Sequence, residues 1–112
     1  LPYMAPEQFT DPLGGIDTRC DVYALGVVAY ELVTGALPHD VARVPLAEAA
    51  RIVTERAPQR PSARRRDVPA DVDAILLKAL EKDRERRYGS AADLAADLLR
   101  HLAGDPVLAR PP

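Results

Sequence analysis

The chain has 112 residues, with fifteen basic and seventeen acidic side chains, so its charge is almost balanced. A dedicated nucleic-acid-binding protein is expected to be strongly basic, and the composition argues against that class. The single cysteine, Cys20, excludes an internal disulfide and favours a cytosolic protein. The longest apolar run, residues 21–35, carries Glu31 and is shorter than the roughly eighteen residues that span a bilayer. We therefore expect a cytoplasmic protein with no membrane segment in this chain.

The first third of the chain predicts one dominant helix. A short helical turn is expected from Pro6, after an N-terminal loop, and a turn-rich connector follows at residues 10–15. Residues 18–34 then predict a helix that is apolar on nearly every side, and such a helix has to be buried. Gly35 suits a left-handed helix end, and Pro38 prevents the helix from continuing.

The rest of the chain predicts three amphipathic helices. The first spans residues 46–55 and the second spans residues 69–82, where apolar side chains recur at the spacing of one helical face. The third begins after Ser90, which has the spacing of a capping box with Asp93, and it ends at Gly104.

Proline-rich stretches separate or follow these helices. Residues 57–67 contain two prolines and three consecutive arginines, and they predict an exposed loop. Residues 105–112 contain three prolines and predict an extended tail that leaves the domain. No stretch alternates apolar and polar residues, so no strand is predicted. The residues alone thus indicate an all-α fold, with a buried central helix and about three amphipathic helices around it.

Three short sequence blocks carry a resemblance to a known family. They are YMAPEQ at residues 3–8, DVYALG at residues 21–26, and KD at residues 82–83 followed by RY at residues 87–88. In this order and spacing they resemble the last third of a protein kinase catalytic domain, and the form of the first block is similar to bacterial serine/threonine kinases of the eukaryotic-like type. The resemblance implies that residues 1–103 run from the end of the activation segment to the last helix of the larger lobe. Residues 104–112 would then be a Pro-rich exit linker.

The resemblance also implies roles for the N-terminal residues. Leu1, Pro2 and Tyr3 match the end of the loop that receives the protein substrate. Glu7 matches a glutamate that pairs with an arginine near the end of the domain, and the matching arginine is Arg87. The alternative is that Glu7 and Arg87 are unrelated surface charges.

Three positions of the central helix match further family positions. Asp21 matches an aspartate whose side chain accepts hydrogen bonds from the backbone of the catalytic loop. Its alternative role is to complete a capping box with Thr18 and to interact with the helix dipole. Val28 and Leu32 match anchors of a hydrophobic stack that reaches toward the nucleotide, and the alternative for both is ordinary core packing.

The chemistry of phosphoryl transfer requires groups that this sequence does not contain. It has no Gly-rich phosphate loop, no catalytic-loop aspartate and no Asp-Phe-Gly metal site. We therefore predict no catalytic residue, no metal site and no cofactor in this chain. For the complete kinase the resemblance implies ATP and Mg²⁺. It also implies two partners, which are the missing N-terminal kinase segments and a protein substrate with a Ser or Thr acceptor.

A second class of function stays open from the sequence. The chain could be a stand-alone helical interaction module from a truncated or degenerate kinase, with residues 46–55 and the loop after them as its contact face. Nucleic-acid binding through Arg60 and residues 64–66 is disfavoured, because a charge run in a Pro-rich loop is usually solvated. By itself the chain is expected to be marginally stable, since parts of the lobe that cover the central helix would be absent.

Overall fold

The computed structural model describes residues 2–10 and 18–110, and within these ranges it contains helices and no strand. The predicted all-α class is therefore confirmed. Leu1 of the predicted substrate loop and most of the predicted connector at residues 10–15 lie outside the described residues. The helices are α1 (Pro6–Thr10), α2 (Thr18–Thr34), α3 (Leu46–Glu55), α4 (Pro61–Arg64), α5 (Ala70–Ala79) and α6 (Ala91–Leu102), with a 3₁₀ turn at Arg84–Arg86.

Helix α2 is the central element, because it packs against α4, α5 and α6. One side of α2 carries Tyr23, Val27 and Tyr30 into a core that also contains residues of α3 and α5. Its other buried side carries Val22 into a second core. This second core is completed by Ile75, Ala79, Tyr88, Leu94 and Val107.

A third face of α2 differs from the expectation of a helix buried all round. Leu25 and Val28 are 44% and 42% exposed, and Leu32 is 80% exposed. These residues follow one another at helical spacing, so they form one continuous apolar stripe. Apolar composition predicted burial of this stripe, yet the described residues leave all three side chains partly or largely exposed.

Three predicted helix-end features are confirmed, whereas the helix predicted over residues 69–82 spans Ala70–Ala79 and so ends earlier than predicted. Gly35 has a φ of 77°, the left-handed conformation that a helix end needs and that glycine adopts without strain. The Ser90 side chain accepts a hydrogen bond from the Asp93 amide at 3.1 Å, as the capping box requires. Gly104 follows the last helix with a φ of 78°.

The stretch at residues 57–67 contains structure that the sequence analysis did not predict. It forms α4, and Pro61 at the start of that helix is buried. The Arg64 Nε donates to the Tyr30 hydroxyl at 2.8 Å, and that hydroxyl donates to the Gln59 carbonyl, also at 2.8 Å. The prediction of an exposed loop is therefore wrong for Pro61–Arg64, which is helical and begins at a buried proline, because the buried Tyr30 hydroxyl requires partners and takes them from this segment. Most of the other residues in 57–67 are exposed and non-helical, as predicted.

The segment after α6 also differs from its prediction. Residues 105–110 were expected to leave the domain as an extended tail, yet Val107 is only 5% exposed and belongs to the second core. The described part of this segment is packed onto the helices.

Candidate functional site

The structure joins Glu7 of α1 to Arg87, which follows the 3₁₀ turn. Arg87 donates from Nη1 to Glu7 Oε2 at 2.6 Å and from Nη2 to Glu7 Oε1 at 2.7 Å. Two parallel, charge-assisted hydrogen bonds are the strongest geometry that an arginine and a carboxylate can form. The Arg87 side chain is fully buried, and that of Glu7 is 16% exposed. This is a buried ion pair between residues that lie eighty positions apart.

The other N–H groups of Arg87 bind backbone carbonyls. Its Nε donates to the carbonyl of Glu81 at 2.7 Å, its Nη1 donates to the carbonyl of Arg19 at 3.1 Å, and its Nη2 donates to the carbonyl of Lys82 at 3.2 Å. All five N–H donors of the guanidinium group are therefore used. Arg87 thus connects α1, the start of α2 and the turn after α5 at one point.

Two side chains of α2 complete this site, and sequence reasoning did not assign either of them to it. The Cys20 Sγ donates to Glu7 Oε2 at 3.1 Å, and the Tyr23 ring lies beneath the guanidinium group of Arg87 at 5.0 Å. Cys20 and Tyr23 stand three positions apart, so they lie on one face of the helix. That spacing is the one sequence signal that relates them. It does not by itself point to Glu7 or Arg87.

The ion pair determines the protonation of Glu7. Burial alone would raise the pKa of Glu7, but hydrogen bonds from Arg87 and Cys20 lower it from 4.5 to about 2. Glu7 is therefore ionised at neutral pH. Burial also raises the pKa of the Tyr23 hydroxyl to about 12, so this ring remains neutral.

The lowered pKa predicts how stability depends on pH. The folded state holds the Glu7 proton less tightly than the unfolded chain does, so the pair's contribution is fully present above about pH 4.5 and is lost as pH falls toward 2. We expect acid unfolding of the wild type to be steeper across this window than that of Glu7→Gln. Circular dichroism followed during acid titration measures this difference. An identical pH dependence in the two proteins would contradict it.

A second connection ties α3 to the turn that carries Arg87. The Lys82 Nζ donates to the Val53 carbonyl at the end of α3, and it lies 3.1 Å from Nε2 of His39. Burial, together with the nearby Arg87, lowers the pKa of Lys82 to about 8. Burial, together with Lys82, lowers the pKa of His39 to about 4, so His39 is neutral at pH 7. The sequence analysis placed Lys82 in a family motif without predicting this contact.

The predicted end of the substrate loop lies against α2. The Tyr3 hydroxyl donates to Glu31 Oε1 at 3.0 Å, and this hydrogen bond raises the pKa of Tyr3. Pro2 is half-buried, and Tyr3 keeps 40% of its surface exposed. Residues 3–8 are therefore fixed at both ends, by Glu31 near the start and by Arg87 near the end.

The remaining sequence-predicted residues lie on the exposed face of α2. Asp21, Val28 and Leu32 are all exposed, so the structure places them on the surface. Asp21 and Val28 line a groove of about 440 Å³ together with Tyr3. A neighbouring groove of about 250 Å³ lies between this face and α6, and its lining is almost entirely apolar. We call the surface formed by Asp21, Leu25, Val28 and Leu32 the open face of α2.

The structure does not bring Asp21 to the Glu7–Arg87 pair. It also starts α2 at Thr18, whose hydroxyl donates to the Gly89 carbonyl at 3.0 Å. Within residues 2–10 and 18–110, no three His, Cys, Asp or Glu side chains are grouped so that they could hold a metal ion. Among the described helices, none has the length and apolar character that crossing a membrane requires.

Comparison with known proteins identifies the family of the chain. The family model described as protein tyrosine and serine/threonine kinase matches residues 1–98. The chain belongs to the protein kinase family. The resemblance noted in the sequence is therefore confirmed, and the all-helical structure is compatible with part of the larger lobe of a protein kinase.

Named relatives within the protein kinase family are bacterial. The chain is 44% identical over 104 residues to the serine/threonine-protein kinase PknB of Mycobacterium tuberculosis (strain ATCC 25618 / H37Rv). The aligned region covers 93% of this chain and 16% of that protein. It is 43% identical over 99 residues to the serine/threonine-protein kinase PksC of Streptomyces coelicolor, and this aligned region covers 88% of the chain and 17% of that protein. The chain thus spans about one sixth of the length of these relatives.

Proposed function

We propose that this chain forms the substrate-side helical base of a bacterial serine/threonine protein kinase. In the complete protein, that kinase would phosphorylate Ser or Thr residues of a protein substrate. The observation that carries the proposal is the buried, bidentate Glu7–Arg87 pair at the end of the segment that begins with residues 1–3. Residues 1–103 would all belong to the kinase domain, and a single buried cysteine in a chain that can form no internal disulfide suits a cytoplasmic location.

The geometry supports a positioning role for residues 3–8. The loop that precedes them would receive the substrate, so its end must be held still relative to the lobe. The Tyr3–Glu31 hydrogen bond and the Glu7–Arg87 pair provide two fixed points, one on α2 and one on the turn after α5. The side chains in these two contacts would transfer no proton in the reaction. They would hold the loop that orients the substrate.

ATP and Mg²⁺ would supply the phosphoryl group and its charge compensation in the complete kinase. The described residues do not fit either group, because they contain no phosphate-binding loop and no cluster of metal ligands. No step of the reaction is therefore assigned to this chain.

The open face of α2 is proposed as the surface that receives the missing N-terminal kinase segments. Asp21 would accept hydrogen bonds from the catalytic-loop backbone, and Val28 and Leu32 would anchor the stack below the nucleotide. Three observations support this assignment. The face is apolar and exposed, and it borders a groove that also contains Tyr3 of the substrate-side segment.

The proposal is tested by measuring phosphotransfer to a Ser/Thr-containing protein substrate. We expect activity from the complete kinase and none from residues 1–112 alone. We expect Glu7→Gln to weaken the activity of the complete kinase, while Glu48→Gln on the exposed side of α3 leaves it unchanged. Robust activity from the 112-residue chain would overturn the proposal. So would unchanged kcat and KM in the Glu7→Gln kinase.

Exposure of the open face predicts dye binding and a broad thermal transition for the isolated chain. We expect the chain to bind a dye that reports exposed apolar surface, such as ANS, and to melt with low cooperativity. Leu32→Lys should lower the dye signal and leave the helix content measured by circular dichroism unchanged, since Leu32 is 80% exposed. Leu46→Lys, at a 61% exposed position of α3, is the matched control and should leave most of the signal. A sharp melt without dye binding would contradict the prediction.

A further inference from the structure

Residues 105–110 turn back over the helices after α6 ends. Val107 of this segment enters the second core, where it is 5% exposed, and the partly buried Ala109 packs against the same core. Leu108, by contrast, is 71% exposed. One valine and one alanine side chain give only modest burial, so polar contacts are needed to fix the segment in place.

Asp97 of α6 provides most of those contacts. Its carboxylate is fully buried, and it accepts from the Leu108 amide at 2.7 Å and from the Ala109 amide at 3.0 Å. It also accepts from the Tyr88 hydroxyl at 2.6 Å and from the Arg100 Nε at 3.0 Å. Four donors satisfy the two carboxylate oxygens, and two of the four belong to the segment after α6. Burial alone would raise the pKa of Asp97, but Tyr88 and the two amides keep it below its usual value.

A second contact holds the far end of the segment. The Arg110 Nη1 donates to Asp71 Oδ1 at 2.8 Å, and Nδ1 of His101 lies 3.3 Å from Oδ2 of the same carboxylate. Asp71 belongs to the first turn of α5. The segment is therefore fixed to α6 near its middle and to α5 near its end.

We propose that residues 105–110 are a strap that Asp97 locks onto the lobe, and that release of the strap loosens the turn that carries Tyr88 and Arg87. The route is short and continuous. The strap amides and the Tyr88 hydroxyl share the Asp97 carboxylate, and Arg87 is the residue before Tyr88. A buried carboxylate that loses two of its four donors is poorly compensated, so Asp97 and its remaining partners would rearrange.

The strap gives the segment after α6 a conformational role that an exit linker would not have. Any event that pulls on the chain beyond residue 110 would act first on the Arg110–Asp71 and Asp97 contacts. Through Tyr88 it would then reach Arg87, which holds Glu7 at the end of the substrate-side segment. The link between these groups is a contiguous set of hydrogen bonds and one peptide bond.

Hydrogen–deuterium exchange of the complete kinase tests the proposal from the strap side. In the wild type, the Leu108 and Ala109 amides should exchange at least about tenfold more slowly than in an unstructured peptide. Leu108→Pro removes one donated N–H, whereas Leu108→Ala keeps it and changes only an exposed side chain. We expect Leu108→Pro to accelerate exchange in the strap and at residues 84–89, and Leu108→Ala to leave both unchanged.

A second pair of variants tests whether the Asp97 carboxylate holds the strap. Asp97→Asn replaces one acceptor oxygen with a donor and should accelerate exchange of the strap about tenfold to a hundredfold. Asp93→Asn makes the same change of charge at an exposed position one turn earlier on α6 and should have no effect on the strap. Helix α3 is the internal reference and should keep its protection in every variant.

Three results would overturn the proposal. The first is that the strap amides of the wild type exchange as fast as those of an unstructured peptide. The second is a turn at residues 84–89 that keeps its protection in both Leu108→Pro and Asp97→Asn. The third is accelerated exchange of α3 together with the strap in Leu108→Pro, because that would mean global unfolding and not local release.

Discussion

Replacing Arg87 with methionine is expected to cost about 3 to 5 kcal/mol of folding free energy, which is a large part of the stability of an ordinary domain. Methionine fills similar space but leaves the Glu7 carboxylate buried without its partner. It also removes the donor that Arg87 supplies to the carbonyls of Arg19, Glu81 and Lys82. Desolvated groups without partners account for most of this cost. Urea denaturation of the kinase domain, followed by circular dichroism, measures it.

Two further variants separate the ion pair from general effects of substitution. Arg86→Met changes the preceding residue, whose side chain is 75% exposed, and should alter stability by no more than about 0.5 kcal/mol. In the Arg87→Met background, Glu7→Gln removes the uncompensated charge and should restore part of the lost stability. A loss for Arg87→Met as small as that for Arg86→Met would contradict the prediction, as would a further loss on adding Glu7→Gln.

The sequence predicted the elements of the fold whose signals are local. Helix α3 has the predicted bounds, and α6 begins after its predicted cap at Ser90. Gly35 has the predicted left-handed conformation. Each of these features depends on residues within a few positions of one another, so a single sequence contains the whole signal.

Contacts between distant residues were predictable only through the family resemblance. Glu7 and Arg87 were named as a pair because they match family positions, since charge and spacing alone gave no reason to join them. The contacts of Cys20 and Tyr23 with that pair were not predicted, because a thiol and an aromatic ring at these positions suit any core. The Lys82 contact with Val53 likewise depends on how α3 packs, and nothing local encodes it.

Two proline-rich stretches show why composition misled the prediction of loops. Proline prevents regular hydrogen bonding inside a helix, but it fits well at a first helical position, as Pro61 does in α4. Prolines near residue 106 likewise predicted an extended tail. What decides its path is the buried carboxylate of Asp97, which needs donors and takes them from the Leu108 and Ala109 amides.

The close packing of α2 on α5 predicts that a side chain at Gly26 destabilises the fold. Gly26 lies where the two helices approach each other, and a Cβ added there would lie 2.8 Å from the Cβ of Ala79 and 3.3 Å from a methyl group of Leu80. The Ala79 methyl cannot rotate away, so the helices would have to separate. Gly26→Ala gains about 1 kcal/mol of helix propensity but costs up to about 3 kcal/mol from overpacking, for a net loss near 2 kcal/mol.

A double-mutant cycle with Ala79→Gly identifies the cause of that loss. In the Ala79→Gly background the obstructing methyl is absent, and the Leu80 side chain is flexible enough to move by a few tenths of an ångström. Gly26→Ala should then stabilise the domain by up to about 1 kcal/mol, because only the propensity gain remains. The sign of the Gly26→Ala effect on the free energy of unfolding should therefore reverse between the two backgrounds. An equal loss in both would show that contact between α2 and α5 does not determine the requirement for glycine.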